Sequence, residues 1–322
     1  MRKYLILFCM LLLPLNIYAY SNRVAVGGET IGIEVHSKGL YVVGFYAVNN
    51  KYIGKDAGFR IGDRIIRIND QDIIDVNSLN NIVDSNTDYV FTIMRNDEEV
   101  KLKMNLSREG HAYKTGLYVK DQINGIGTLS YIDPETKIYG SLGHEILESA
   151  SYSKFDISGG SIYKAIVSSI KKSINGLAGE KNADFDINDN FGEVNRNEIN
   201  GIFGKYSGDF STKDVLEVAR PSEIHKGEAK IRTVIQLDKV EEFSINILSI
   251  DENNLTKNIL FEITDDKLLS KTGGIVQGMS GSPIIQDNKI IGVVNYVIVD
   301  DTKKGYGIFI TTMLKEGDKI LS

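Results

Sequence analysis

Thr272 to Pro283 reads Thr-Gly-Gly-Ile-Val-Gln-Gly-Met-Ser-Gly-Ser-Pro. Its kernel, Gly-x-Ser-Gly-x-Pro, suits a nucleophilic serine. A serine that attacks a carbonyl must stand on a sharp, exposed turn, with backbone N–H groups aimed at the oxygen that gains negative charge. Ser280 is the candidate nucleophile. Glycine at Gly278 and Gly281 permits the backbone shape, and the N–H groups of Gly278 and Ser280 are the candidate oxyanion hole. Pro283 opens an apolar strand that turns at Asp287-Asn288 and returns from Lys289, a strand–turn–strand setting expected after such a serine. Val293-Val294-Asn295 is expected to form the edge that pairs with substrate.

The serine needs a base whose ordinary pKa lies near 6.5. Four histidines occur, His36, His111, His144 and His225. His144 lies in Gly140-Ser141-Leu142-Gly143-His144-Glu145-Ile146 and precedes Ser280 by 136 residues, far enough to stand on a different barrel of a two-barrel fold. A carboxylate must hold the imidazole in the right tautomer. Asp265 precedes Ser280 by 15 residues, and Asp156, Asp209, Asp214 and Asp266 are also available. Asp184 to Asp189 alternates acids in a way that suggests a calcium loop, but the sixth position holds Asp189 where such a loop needs glycine. No metal and no cofactor is expected.

Composition narrows the classes further. The chain has 322 residues, 42% of them hydrophobic and 25% charged, a globular balance that excludes disorder as the main state. A net charge of -6 offers no basic surplus for a phosphate backbone, so a nucleic-acid partner is not expected. Cys9 is the one cysteine, which excludes a disulfide framework and a cysteine zinc site. Arg2 and Lys3 precede an apolar run from Tyr4, so residues 1–22 read as a signal peptide or signal anchor, placing the rest outside the cytoplasm, secreted or anchored through one membrane contact.

The elements that would position the site are mostly strands. Thr30–Val35, Leu40–Val48, Arg64–Ile68, Tyr89–Arg95 and Val100–Leu106 carry β-branched and aromatic residues, with short helices expected at Gly54–Gly58 and Val76–Val83. Asn69-Asp70 and Asn96-Asp97 signal turns. A further helix is expected over Ser161–Ile174, because Ile162, Ala165, Ile166, Ser169 and Ile170 fall on one helical face. The polar stretch after Glu180 reads as a solvated hairpin or loop.

Ile31-Gly32-Ile33, Gly39-Leu40-Tyr41-Val42-Val43, Lys55-Asp56-Ala57-Gly58-Phe59 and Ile61-Gly62-Asp63-Arg64-Ile65-Ile66-Arg67-Ile68-Asn69 together resemble a PDZ domain of the circularly permuted bacterial type. The resemblance implies a PDZ domain over residues 23–106, with Ile31, Gly32 and Ile33 capturing a peptide terminus by backbone N–H groups. Residues 107–322 would form a serine peptidase domain.

The export segment, the PDZ-like segment, Leu142-Gly143-His144, Gly201-Ile202-Phe203-Gly204, Thr272–Pro283 and Gly305-Tyr306-Gly307-Ile308 together resemble the stage IV sporulation protein B serine peptidases of endospore-forming bacteria. That likeness implies a mainly β protein with minor α, ending in a chymotrypsin-like double β-barrel. It implies Ser280 and His144 as catalytic residues and Asp265 as the acid. It also implies a protease of sporulation signalling, acting in the space between forespore and mother cell. There it would cleave the extracytoplasmic part of a membrane-anchored regulator, and itself. The rival readings are an exported PDZ scaffold on a catalytically silent protease-like domain, and a general envelope quality-control serine protease. Intact Ser280 and His144 disfavour the first. The second would bring a long regulatory loop and a trimerisation segment, which are not evident.

Overall fold

The computed structural model describes residues 20–83 and 88–321, so the expected export segment lies outside the described residues, apart from its last three positions. Among the described residues no helix is long and apolar enough to cross a membrane. In chain order, β1 (Arg23–Val26) and β2 (Thr30–Phe45) are followed by α1 (Ile53–Asp56), β3 (Arg64–Ile68), β4 (Gln71–Asp72) and α2 (Val76–Ile82). Next come β5 (Asp88–Arg95), β6 (Glu98–Asn105), a small hairpin of β7 (Ser107–Glu109) and β8 (Ala112–Lys114), and β9 (Leu117–Ile132). Then follow β10 (Ile138–Ser141), β11 (Ile157–Lys171), β12 (Gly179–Glu193), β13 (Arg196–Glu198), β14 (Gly201–Lys205) and β15 (Val215–Val218). The last part holds β16 (Gly227–Val234), β17 (Val240–Ile250), β18 (Ile259–Ile263), α3 (Asp266–Thr272) and β19 (Val276–Gln277). It ends with β20 (Pro283–Gln286), β21 (Lys289–Val297), β22 (Lys304–Phe309) and α4 (Ile310–Gly317).

Two rings of strands emerge from the pairings. In the first, β2 pairs with β9, β9 with β10, β10 with β14, β11 with β12 and β11 with β2. The ring closes where Gly192 of β12 bridges Tyr206 just beyond β14. In the second, the cycle is β16, β17, β18, β22, β21, β20 and back to β16. Numbered within its own ring, each follows the cyclic order one, two, three, six, five, four. This repeated arrangement is a chymotrypsin-like double barrel. Apolar side chains fill each interior: Ile33, Leu129, Tyr139 and Ile162 in the first, Ile231, Phe243, Phe261 and Ile284 in the second. Aspartate and asparagine adopt positive φ at the tight turns, 48° and 63° at Asn69-Asp70, 51° and 64° at Asn96-Asp97, 49° and 61° at Asp287-Asn288. These are the mirror-image turns that match strand twist, as their sequences predict.

A third core, with Leu40, Val42, Ile65, Phe91 and Leu117 at its centre, belongs to a smaller β/α unit between the two long strands β2 and β9. These strands pair in two blocks. Thr30–His36 pairs with residues 122–128 inside the barrel, and Tyr41–Phe45 pairs with residues 117–120 inside the smaller unit. The small unit is therefore an insertion in a barrel hairpin. The first half of β2, expected with the PDZ-like segment, is a barrel strand, and β1, expected there too, pairs with the end of barrel strand β9 and with β15.

This corrects the expected peptide site. Ile31, Gly32 and Ile33 pair with Gly127, Ile126 and Gly125 on one side. On the other side they pair with Lys164, Tyr163 and Ile162. With both edges occupied, no strand can be added there. A Cβ on Gly32 would lie 2.2 Å from the Phe185 ring, so this glycine serves close packing. The helix expected over Ser161–Ile174 is also corrected: the segment lies in strand β11 as far as Lys171. Tyr163, Ala165 and Val167 are buried while Lys164, Ile166 and Ser168 are exposed, the two-residue period of a strand. Tyrosine and β-branched residues favour that outcome, because they fit a pleated surface. Asp184 to Asp189 lies in the largely exposed strand β12, paired in part to β11, so of the solvated hairpin or loop expected there the structure has the hairpin.

Candidate active site

The serine turn is fixed to the opposite barrel. β9 runs beside it, and the Thr128 N–H donates to the Ser280 carbonyl at 3.0 Å. The Thr128 hydroxyl donates to the Gly278 carbonyl at 2.7 Å, and the Ser130 hydroxyl to the Gly281 carbonyl at 2.8 Å. Within the turn, the Ser282 N–H donates to the Met279 carbonyl at 2.9 Å. That bond turns the planar 279–280 peptide so that the Ser280 N–H points the opposite way. Gly278 and Gly281 have φ of 91° and 90°. At Gly281 a Cβ would come within 2.3 Å of the Thr128 carbonyl and 2.5 Å of the Leu142 N–H nitrogen, so no side chain fits.

His144 follows β10. Leu142 and Gly143 have φ of 68° and 75° in succession, and this reversal carries His144 over β21. A left-handed leucine is a costly conformation that only surrounding structure can hold. The imidazole stacks on Tyr296, ring centres 5.7 Å apart and planes at 22°. Its Nδ1 lies 2.9 Å from the Glu145 carbonyl oxygen. A carbonyl only accepts, so Nδ1 carries the proton and Nε2 is left as the acceptor, the tautomer of a general base. Burial lowers the imidazole pKa below its ordinary value, opposed by the bond to the Glu145 carbonyl and by the Glu145 charge. The imidazole is therefore neutral at pH 7.

Ser280 and His144 line one cavity of about 700 Å³, together with Ile126, Val276, Tyr296 and Val297. The Ser280 hydroxyl donates to the Asn295 carbonyl at 3.3 Å. Gly278 also lines the cavity. The stretch expected as the substrate edge, Val293-Val294-Asn295, is an open edge only at its end. Val293 pairs with Pro283, and Val294 bonds Gly281 and Ser282, so both sit inside the sheet. Tyr296 and Val297 pair with β22 alone, and their other edge borders the cavity.

Asp265 is not brought to this cavity. It caps α3: one carboxylate oxygen accepts from the Leu268 N–H at 2.9 Å, the other from the Ser244 N–H at 3.4 Å. The other carboxylates considered are also committed or remote. Asp156 pairs with Arg64 at 2.8 Å and Asp214 with Arg232 at 3.0 Å. Asp209 accepts from Ser211, and Asp266 lies in the first turn of α3. The carboxylate beside His144 is its neighbour Glu145, one of whose oxygens is buried and without a hydrogen-bond partner. His36 faces Glu34, and His225 faces Asp287, away from the cavity.

One positioning residue escaped sequence reasoning. The connection between β12 and β14 carries Asn197, which is buried. Its side chain accepts from the Ile146 N–H at 2.8 Å and donates to the carbonyls of Ile146 and Phe155, each at 2.9 Å. This amide clamps the segment that follows His144. Nothing in Asn-Arg-Asn marks that role, because it depends on a contact 51 residues away.

Residues 111–314 match the family described as SpoIVB peptidase S55. Among solved structures, a protease titled "Crystal structure of Rv3671c protease, inactive form" aligns with 13% identity and a TM-score of 0.35, covering 61% of this chain and 84% of that chain. No curated protein matches the chain. The family match spans well over half of the sequence and takes in both the His144 segment and the Ser280 turn, so the chain belongs to the SpoIVB peptidase S55 family.

Proposed function

We propose that the chain is an exported serine endopeptidase of sporulation signalling in which Ser280 is the nucleophile, His144 the general base, and the Gly278 and Ser280 N–H groups the oxyanion hole. The observation that carries this reading is the shared cavity of Ser280 and His144, formed where the two barrels meet. In the reaction, the Ser280 proton passes to His144 Nε2 as Oγ bonds the peptide carbonyl carbon. The carbonyl oxygen takes up negative charge facing the turn's N–H groups. His144 then gives the proton to the leaving amine, the C–N bond breaks, and water releases the acyl group by the same route.

The substrate is the extracytoplasmic part of a membrane-anchored regulator, and the enzyme also cleaves itself. The inserted unit acts as a PDZ domain that selects these chains. The family membership supports the sporulation setting, and the open edge at Tyr296–Val297 supports an extended peptide substrate. The test is hydrolysis of unfolded casein and of the full chain's own N-terminal segment by the wild type, Ser280→Ala, His144→Ala and the double variant. Each single variant is expected to lose several orders of magnitude, and the double variant little more, because the two residues act as a unit. Full cleavage by Ser280→Ala would leave the chain a protease-like scaffold with a contaminating activity.

A further inference from the structure

Lys181 is the most unusual charge in the molecule. It is 4% exposed, and among the described residues no carboxylate lies within ion-pair distance of it. Among the described residues the other charged side chains buried to this extent, Asp63, Asp133 and Glu148, are compensated. Asp63 has Arg95 at 2.6 Å, and Glu148 accepts from the N–H groups of Ala150 and Ser151, both at 2.8 Å. The Lys181 amine has one partner, the Thr233 hydroxyl on β16 of the other barrel, at 2.9 Å. A buried ammonium without a counter-ion is unstable, so evolution rarely keeps a lysine in such a place without a use.

Its location suggests the use. β12 begins beside the segment that leads into the serine turn, with Gly179 and Glu180 paired in parallel to Val276 and Gln277. Lys181 comes next, directly behind Gly278. A Cβ on Gly278 would meet both Cβ and Cδ of Lys181 at 3.2 Å. Nζ is two bonds beyond Cδ, which puts the ammonium within about 6 Å of that point.

We propose that Lys181 is a positioning residue of the oxyanion turn. It packs behind Gly278 and supplies a buried cation whose missing counter-charge appears only when the reacting oxygen becomes negative. The inference rests on the reading of Ser280 and His144 as nucleophile and base. No neighbouring acid satisfies the lysine beforehand. On the β12 and β11 side, Glu180 pairs with Lys171 at 3.9 Å, and both are exposed. Across β16 and β17, Glu241 is opposite Thr233 and is held by Lys239 and Lys267, while Arg232 is held by Asp214 and Glu242. Residues 276–282 contribute no ionisable side chain. Burial alone lowers the amine pKa to about 7. The cation is therefore lost just above neutrality, while His144 becomes an active base only when neutral. The two together give a bell-shaped pH profile with its upper limb near 7.

The test uses the rate at which a fluorophosphonate labels the full chain between pH 5 and 9. In that reaction Ser280 Oγ bonds phosphorus, fluoride leaves, and the serine proton goes to His144. A charge on a side chain packed against Gly278, at an effective dielectric near 20, is expected to change the rate by roughly tenfold to a hundredfold. The wild-type rate should fall by that factor from pH 6.5 to pH 9. Lys181→Met should be slow throughout and show no upper limb. Lys181→Arg, which stays charged, should keep its rate to pH 9. A wild-type rate and limb in Lys181→Met, or an unmoved limb in Lys181→Arg, would overturn the proposal. If either variant fails to fold, an NMR titration of the Lys181 Cε in full-length Ser280→Ala decides. A midpoint near 7 supports the proposal, and one near the ordinary 10.4 overturns it. This titration does not depend on catalysis. A wild type that fails to label at all instead marks the failure of the nucleophile assignment, and the proposal falls with it.

Discussion

Replacing Asp265 by asparagine separates two accounts of this site by a wide margin. Family resemblance makes Asp265 the acid of a triad, and removing a triad carboxylate's charge while keeping its shape costs about 10⁴ in kcat. In the structure Asp265 is instead a helix cap, bonded to the N–H groups of Leu268 and Ser244. Asparagine caps a helix about as well as aspartate, because its carbonyl oxygen accepts the Leu268 N–H, and only the long 3.4 Å bond from Ser244 to the second oxygen is lost. Asp265→Asn should therefore change neither stability nor peptidase rate by more than about twofold. Asp265→Ala removes the cap and costs about 1 kcal/mol. In a chain of this size that lowers the melting temperature by about 2 °C. Its rate at 25 °C should stay within a few-fold of wild type. The assay is casein hydrolysis beside calorimetry on the same samples. A loss of a thousandfold or more in Asp265→Asn, with an unchanged melting temperature, would refute the reasoning and bring Asp265 to His144 in the working enzyme.

Other sites give equally direct expectations. Thr128→Val leaves the Gly278 carbonyl without its 2.7 Å donor in a buried place, so it should cost about 1–3 kcal/mol in thermal unfolding and slow casein hydrolysis at least tenfold. Asn197→Ala frees the segment after His144 and should lower kcat far more than it raises KM, whereas Arg196→Lys nearby should not. Burial holds the His144 pKa below its usual value, and only the neutral imidazole is a base. The acid limb of activity should thus lie below pH 6.5, read from kcat/KM against pH. The same shift makes the folded state bind fewer protons than the unfolded one, so stability from this group falls as pH drops through that region. Gly32→Val should unfold the first barrel by driving into the Phe185 ring, a result visible as lost cooperative melting.

The turn chemistry of this fold is local, and that is why it can be read from the sequence. Asn96-Asp97 and Asp287-Asn288 set their own backbone angles, and Gly278-Met-Ser-Gly281 sets the shape of the serine turn. His144 is found from the same kind of local signal, a glycine pair and a histidine at a strand end. What stays hidden is set by distant partners. β2 runs without a break from the barrel into the inserted unit, so no composition change marks the boundary near Ser37 and Lys38. Ser161–Ile174 satisfies a helical and a strand period at once, and the pairing with β2 and β12 decides between them. Asp265 sits at a spacing that invites a catalytic reading, yet two backbone N–H groups claim its carboxylate. Asn197, Thr128 and Lys181 act through residues more than 40 positions away.

The central claim is that the Ser280 hydroxyl, activated by His144 in the cavity between the barrels, is the reacting group. The most direct measurement is to label the full chain with a fluorophosphonate at pH 6.5 and locate the adduct by mass spectrometry of the digested protein. The account predicts one adduct, on Ser280, unchanged in Ser282→Ala and absent in Ser280→Ala and His144→Ala. An adduct on Ser282, an adduct elsewhere, or labelling of Ser280 that persists in His144→Ala would contradict it.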